Sequence, residues 1–201
     1  MTAPGTNRTS TNRTKGFSFI EVLMVVIVTG TLIAFAVPAL TTLLQSMRSN
    51  GDARDVDDVI ALAKMRAAAD FTRARVYCDL SLQTFEVDRW TAGAWSNESG
   101  TQPLSKGVTF GFGANVTTSP SGTAITQAPL CYDSGDAATV ANTACIVFNS
   151  RGIPVDHSGA PIATDALYVT DGSSVYGVTV LATGLIRIWR TGATAAHWAI
   201  R

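Results

Sequence analysis

Charged side chains are scarce in this sequence. Only 15% of the 201 residues are Asp, Glu, Lys or Arg, against about 25% in a typical soluble domain. The first sixteen positions hold Arg8, Arg13 and Lys15 and contain no acidic residue. The rest of the chain has twelve basic and fifteen acidic side chains, a net charge of −3. Its overall charge therefore does not favour binding to nucleic acid.

Cysteine and histidine are also few. No CxxC pair occurs, and His157 and His197 are not spaced as metal ligands, so no metal site is expected. Cys131 and Cys145 bracket a loop rich in Ala, Ser, Thr and Asp, and we predict a disulfide between them if this part of the chain lies outside the cytosol. The alternative is that Cys78, Cys131 and Cys145 are all free thiols.

Catalytic motifs are missing as well. The sequence contains no G-x-S-x-G, no phosphate-binding glycine loop and no H-E-x-x-H. Asp133 and Asp136 lie in the loop between the two cysteines, but their spacing matches no known calcium loop. We therefore expect no catalytic residue, no cofactor and no enzyme activity.

What the sequence does contain is one long apolar run. From Val22 to Leu40 it has no charged residue, and at about 1.5 Å per residue this run spans roughly a bilayer core. Basic residues precede the run, which places the N-terminus in the cytoplasm and the rest of the chain across the membrane. A cleaved secretory signal peptide would be shorter and would end in a small-residue cleavage site. A plain signal anchor fits the length but does not explain Glu21, because an acid at the edge of an apolar run is costly.

The segment KGFSFIEVLMVVIV, residues 15–28, explains that acid. Glycine, an aromatic residue and then glutamate as the fifth residue after the glycine resemble the class III prepilin signal of type IV pilins and type II secretion pseudopilins. The resemblance implies that a prepilin peptidase cuts between Gly16 and Phe17 and methylates the new amino terminus of Phe17. Glu21 would then neutralise that amine, in its own or a neighbouring subunit. Pro38 corresponds to a proline at which family helices unwind inside the filament; a simple kink at the membrane exit is the alternative.

Beyond the apolar run the helical periodicity continues to about residue 78, with Ser-Asn-Gly-Asp at 49–52 as a candidate break. Short alternating segments separated by turns follow, and they predict strands. The expected fold class is therefore α+β: a long N-terminal transmembrane helix that continues into an amphipathic helix packed on a C-terminal antiparallel β-sheet or sandwich. The predicted divisions are a cleaved leader at 1–16, a transmembrane and filament-core helix at 17–44, the amphipathic helix at 45–78 and a β-rich head at 79–201.

The downstream motifs are similar to those of GspH/FimT minor pilins and pseudopilins. They are LAKMRAAADFTRARVYCDL, DRWTAGAW, IVFNSRGIPVD and ATGLIRIWR. Gly152 and Gly184 fall where turns require positive φ. Phe85, Trp90, Trp95 and Phe148 are predicted core aromatics.

The resemblance implies a structural minor subunit of a type IV pilus or a type II secretion pseudopilus, at or near the tip. Its partners would be the inner membrane, the peptidase and other subunits bound through the N-terminal helix. Two alternatives stay open: a major fibre-forming pilin, and a DNA-binding minor pilin serving natural transformation. For the latter the candidate DNA contacts are Arg187, Arg190 and Arg201, although Leu185 replaces the first arginine of that motif.

Overall fold

The computed structural model describes residues 16, 18–113, 119–120, 126–192 and 195–201. The predicted leader up to residue 15 and the predicted new amino terminus, Phe17, lie outside the described residues. The chain divides into two units, one ending at Thr42 and the other running from Leu43 to Arg201. Each unit is described by itself.

One helix, α1, runs from Phe19 to Ala69 through both units, and the candidate break at 49–52 is helical. The predicted helix end near residue 78 is wrong. The amide of Thr72 donates to the carbonyl of Ala67 at 3.2 Å, and Phe71 takes a φ of 50°. This closing turn redirects the chain, and the alternating segment that follows forms a strand instead of a last helical turn.

Eleven strands follow the helix, and every pairing between them is antiparallel in the described residues. Their bounds are β1 Ala74–Asp79, β2 Thr84–Thr91, β3 Ala94–Asn97, β4 Gln102–Pro103, β5 Thr109–Phe110, β6 Thr143–Phe148, β7 Pro154–Val155, β8 Thr164–Thr170, β9 Ser174–Leu181, β10 Ile186–Gly192 and β11 Ala195–Ile200.

The strands form two sheets. Sheet A has the order β3-β2-β1-β6-β7, with β4 also paired to β2, and sheet B has the order β11-β10-β9-β8-β5. The larger of two buried clusters among the described residues takes side chains from the second unit's part of α1 and from both sheets, including Ile60, Val76 and Val178. The predicted α+β class, a long helix followed by antiparallel sheets, is confirmed.

In the second unit, α1 is amphipathic. Its buried positions recur every three or four residues, the spacing of one helix face. They are Ser49, Asp52, Ala53, Val56, Val59, Ile60, Ala63 and Ala67. Lys64 on this helix donates to the carbonyl of Gly184 at 2.8 Å, so the helix is tied to the turn before β10.

Glycine turns hold the hairpins in register. Gly152 and Gly184 have φ values of 70° and 76°, which confirms the prediction for both. Ala92 and Gly93 both have positive φ in the β2–β3 turn, as the tightest hairpins require. Among the predicted core aromatics, Phe85, Trp95 and Phe148 are buried. Trp90 is only half-buried, because it lies opposite Trp95 near the open edge of sheet A.

Candidate functional site

The start of α1 carries the predicted processing and assembly residues. Gly16 is exposed, and an added Cβ there would meet no atom within 4 Å. The carbonyl of Ser18 accepts the amides of Glu21 at 3.0 Å and Val22 at 3.2 Å, so Glu21 lies in the first helical turn. A carboxylate there interacts favourably with the unpaired amides and positive dipole end of a helix. Glu21 is also the only charged side chain of α1 before Arg48.

The first unit's part of α1 is apolar on every side, and its large apolar side chains are exposed. Phe19, Met24, Leu32 and Phe35 are all at least 65% exposed. A helix that is hydrophobic all round requires an apolar surrounding, which is either lipid or other apolar helices. By length and composition this is a helix that can cross a membrane.

The threonine hydroxyls of this part of the helix form hydrogen bonds with backbone carbonyls of the same helix. The hydroxyls of Thr29 and Thr31 donate to the carbonyls of Val25 and Val28 at 2.6 and 2.8 Å. Thr41 and Thr42 both donate to the carbonyl of Pro38, at 2.9 and 3.1 Å. Hydroxyls bonded within the helix leave no donor unpaired in lipid.

Pro38 lies within the helix, and the residues on both sides of it stay helical. A proline has no amide hydrogen, so the carbonyl four residues earlier lacks its usual helical partner. The two threonine hydroxyls that converge on the Pro38 carbonyl reinforce the turn after the gap.

The three arginines considered for DNA binding do not share one surface. Arg187 and Arg190 are three residues apart on β10, so they point to opposite faces of sheet B. Arg187 is exposed on the outer face. Arg190 is half-buried on the core side, where it donates to the Ser174 hydroxyl at 3.1 Å and lies 5.6 Å from the Tyr176 ring centre.

Arg201 has a third environment. Its amide donates to the carbonyl of Ile188 at 3.0 Å, and the residue lines a shallow depression together with Arg54, Asp57 and Asp58 of α1. The two carboxylates balance the two arginine charges of this depression, so it has no net positive charge to attract a phosphate backbone. The geometry therefore supplies no continuous basic surface from these three residues.

Cys131 and Cys145 form the predicted disulfide, and Cys78 is buried and free. Within the closed loop, one Asp136 oxygen is 3.0 Å from Arg73 and the other accepts the Trp95 indole N–H at 3.2 Å. Asp133 accepts the backbone amide of Ala137 at 2.8 Å. Both carboxylates of the loop are therefore used by the protein itself.

Beside this loop two arginines alternate with tryptophan rings. Arg73 lies 4.5 Å from the centre of Trp90, and Arg75 lies 4.4 Å from the centre of Trp95. Arg75 also forms a buried ion pair with Asp88 at 2.9 Å. Burial raises the pKa of Asp88 although Arg75 beside it acts in the opposite direction. The arrangement packs the disulfide loop against sheet A.

Sequence reasoning missed a cleft next to this stack. It encloses about 220 Å³. Asp165 contributes an acid and Tyr132 and His157 contribute stacked rings, 4.1 Å apart between centres. Asp165 is the second residue of β8 and comes just before the buried stretch of that strand. In the sequence alone, its position resembles that of an exposed turn residue. No local sequence pattern indicates that Asp165 and the disulfide loop line the same cleft.

Two solved structures of the minor pseudopilin EpsH from the type 2 secretion system of Vibrio cholerae are similar to this chain. The first is 13% identical, covers 70% of this chain and 95% of that chain, and has a TM-score of 0.45. The second is 12% identical, covers 70% and 92%, and has a TM-score of 0.43. A similarity at this level carries no function across. No protein-family profile matches the sequence, and no curated protein matches it.

Proposed function

We propose that this chain is a minor structural subunit of a type IV pilus or a type II secretion pseudopilus, anchored in the bacterial inner membrane by the first unit's part of α1. The observation that carries the proposal is the combination of Gly16 and Glu21 with an exposed helix that is apolar on every side. The glycine marks the cleavage point of the resembled signal. The helix supplies a rod that requires lipid or other apolar helices around it.

Processing follows from the signal. A prepilin peptidase would cut between Gly16 and Phe17 and methylate the amine of Phe17, which leaves the helix attached to the head. The N-terminus would be cytoplasmic before cleavage, and the residues after the apolar run would be on the far side of the inner membrane. The Cys131–Cys145 disulfide suits that compartment, since disulfides persist outside the cytosol.

Glu21 has a role in assembly. Glu21 is the fourth residue after Phe17; if the helix of the processed subunit extended to Phe17, those four residues would rise about 6 Å and put the carboxylate about one turn from the new amine. An ammonium at the edge of the hydrocarbon region is costly unless it has a counter-ion. A pair between the amine of one subunit and Glu21 of the same or the next subunit would lower that cost and fix the axial register of neighbouring helices.

Mass spectrometry of the protein extracted from membranes of its native host tests the processing step. The expected species begins at N-methylated Phe17. A protein that retains Met1, or that begins at any other residue, contradicts the proposal. A Gly16→Val variant is the matched control and is expected to retain its leader.

Filament recovery tests the charge pair. Glu21→Ala is expected to be cleaved normally but to be lost from sheared filaments. Glu21→Gln keeps the side-chain shape without the charge and is expected to fail equally. If either variant assembles at the wild-type level, the carboxylate does not set the register.

A further inference from the structure

The cleft beside the disulfide loop is a candidate binding site that the assembly role does not use. Its walls combine apolar side chains with the rings of Trp95, Tyr132 and His157. The apolar part comes from the segment before Cys131, from sheet A and from the turn after β7, and consists of Pro129, Leu130, Val147, Val155 and Ile162. Such a lining suits an aliphatic or aromatic group.

Three carboxylates line the cleft, and two of them are already used. Asp136 binds Arg73 and Trp95, as described above. Asp156 accepts the hydroxyl of Ser158 at 2.7 Å and the backbone amide of Ala160 at 2.9 Å, which closes its own turn. No hydrogen bond or ion pair joins the side chain of Asp165 to any residue in the described part of the chain.

The cationic side of the cleft is also occupied. Arg75 is held by Asp88 at 2.9 Å and by the carbonyl of Tyr132 at 2.6 Å. Counting Arg75 against the three aspartates, the lining side chains carry a formal charge of −2 with His157 neutral. Asp165 is therefore the carboxylate for which the protein supplies no counter-charge.

The environment of Asp165 disfavours its own ionisation. Burial raises the pKa of this carboxyl to about 6, and burial is the only cause of the shift. A half-buried carboxylate without a partner gains more than a fully exposed one when an opposite charge approaches, because its surroundings screen the charge less than bulk water does.

We propose that this cleft binds the ammonium or guanidinium group of a lysine or arginine side chain presented by a partner protein. Asp165 is the counter-ion of that group, and the aliphatic stem packs against the apolar wall. A long cationic side chain matches the lining in both respects: its stem is apolar and its head is charged. The cleft is thus a specificity pocket on the head, separate from the helix through which subunits assemble.

The test uses the full chain in a mild non-ionic detergent, labelled with ¹⁵N at tryptophan. The four tryptophans give four indole signals, and only that of Trp95 comes from the cleft lining. The probes are the N-acetyl, N′-methylamide derivatives of lysine and arginine, with the norleucine derivative as the uncharged control. Lysine or arginine is expected to shift the Trp95 signal saturably, with a dissociation constant on the order of millimolar for so small a ligand, while the Trp189 signal stays unchanged.

Variants locate the counter-ion. Asp165→Asn is expected to weaken binding at least about tenfold, and Asp58→Asn, which removes one exposed acid elsewhere on the head, to leave it within about twofold. Dispersed indole signals show that the variant is folded; if they collapse, Asp165→Ala replaces it. The proposal is overturned if neither cation shifts Trp95, if norleucine shifts it equally, or if the Asp165 variant binds as tightly as wild type.

Discussion

Replacing Asp165 by Asn should make the head more stable at neutral pH. Asn has nearly the same shape but no charge, so it removes the desolvation penalty of the carboxylate and little else. Burial holds the pKa of Asp165 at about 6, against 3.8 for an unperturbed aspartate. At 1.36 kcal/mol per pKa unit, the ionised form costs the folded state about 3 kcal/mol.

The direction in which the stability difference changes with pH follows from the two pKa values of Asp165. Below pH 3.8 the carboxyl is protonated in the folded and unfolded chains alike, so the penalty is absent. Between pH 3.8 and about 6 the unfolded chain ionises first, and the stability of the wild-type head falls as the pH rises. Above that range the full penalty applies. The variant should therefore exceed wild type by about 1 kcal/mol at pH 4.5 and by about 3 kcal/mol at pH 7.5.

Urea unfolding at the two pH values, followed by tryptophan fluorescence in the detergent-solubilised chain, measures this difference. All four tryptophans lie after residue 89, so the signal reports the head and not the apolar part of α1. An equal gain at both pH values would mean that packing, not ionisation, explains the effect. A variant less stable than wild type at pH 7.5 would refute the account of Asp165 altogether.

Three further variants and one control test the backbone and the disulfide by the same unfolding measurement. Phe71 has a φ of 50° and is 86% exposed, so Phe71→Gly should stabilise the head by about 1 kcal/mol; a loss of stability would show that the ring packs on something. Gly184→Ala should cost about 2 kcal/mol or more, because the new Cβ would lie 2.5 Å from a backbone oxygen at a φ of 76°. Gly93→Ala, with a φ of 86° but no atom within 4 Å, is the control for backbone strain alone and should cost only about 1 kcal/mol. Replacing Cys131 and Cys145 together by Ser should cost about 3 kcal/mol for a loop of this length; an unchanged midpoint would mean that the bridge contributes nothing.

Local patterns predicted the elements well. The apolar run, the strands and the positive-φ glycines Gly152 and Gly184 are short-range features, since each depends on a few neighbouring residues. The disulfide also followed from a local observation, two cysteines around a polar loop. The helix end did not, because the Ala-rich stretch to residue 69 and the basic residues beyond it are both compatible with helix.

Side-chain surroundings were harder to predict. Arg187 and Arg190 were candidate DNA contacts from their closeness to one glycine in sequence, but strand alternation directs them to opposite faces of sheet B. The cleft joins Trp95 to Asp165 across seventy positions of sequence. Nothing in either segment alone indicates that the two residues line one cleft, because the cleft forms only once the disulfide loop packs beside sheet A.

The threonines of the apolar helix have a wider consequence. Because Thr29, Thr31, Thr41 and Thr42 each donate to a carbonyl of their own rod, exchanging hydrocarbon neighbours for protein neighbours leaves every one of those bonds intact. The hydrogen bonding of these threonines is therefore the same in lipid as among other apolar helices. The Glu21 carboxylate is different, because the free energy of a charge depends strongly on whether a counter-ion lies beside it. A difference in free energy between lipid and protein surroundings would therefore depend mainly on Glu21.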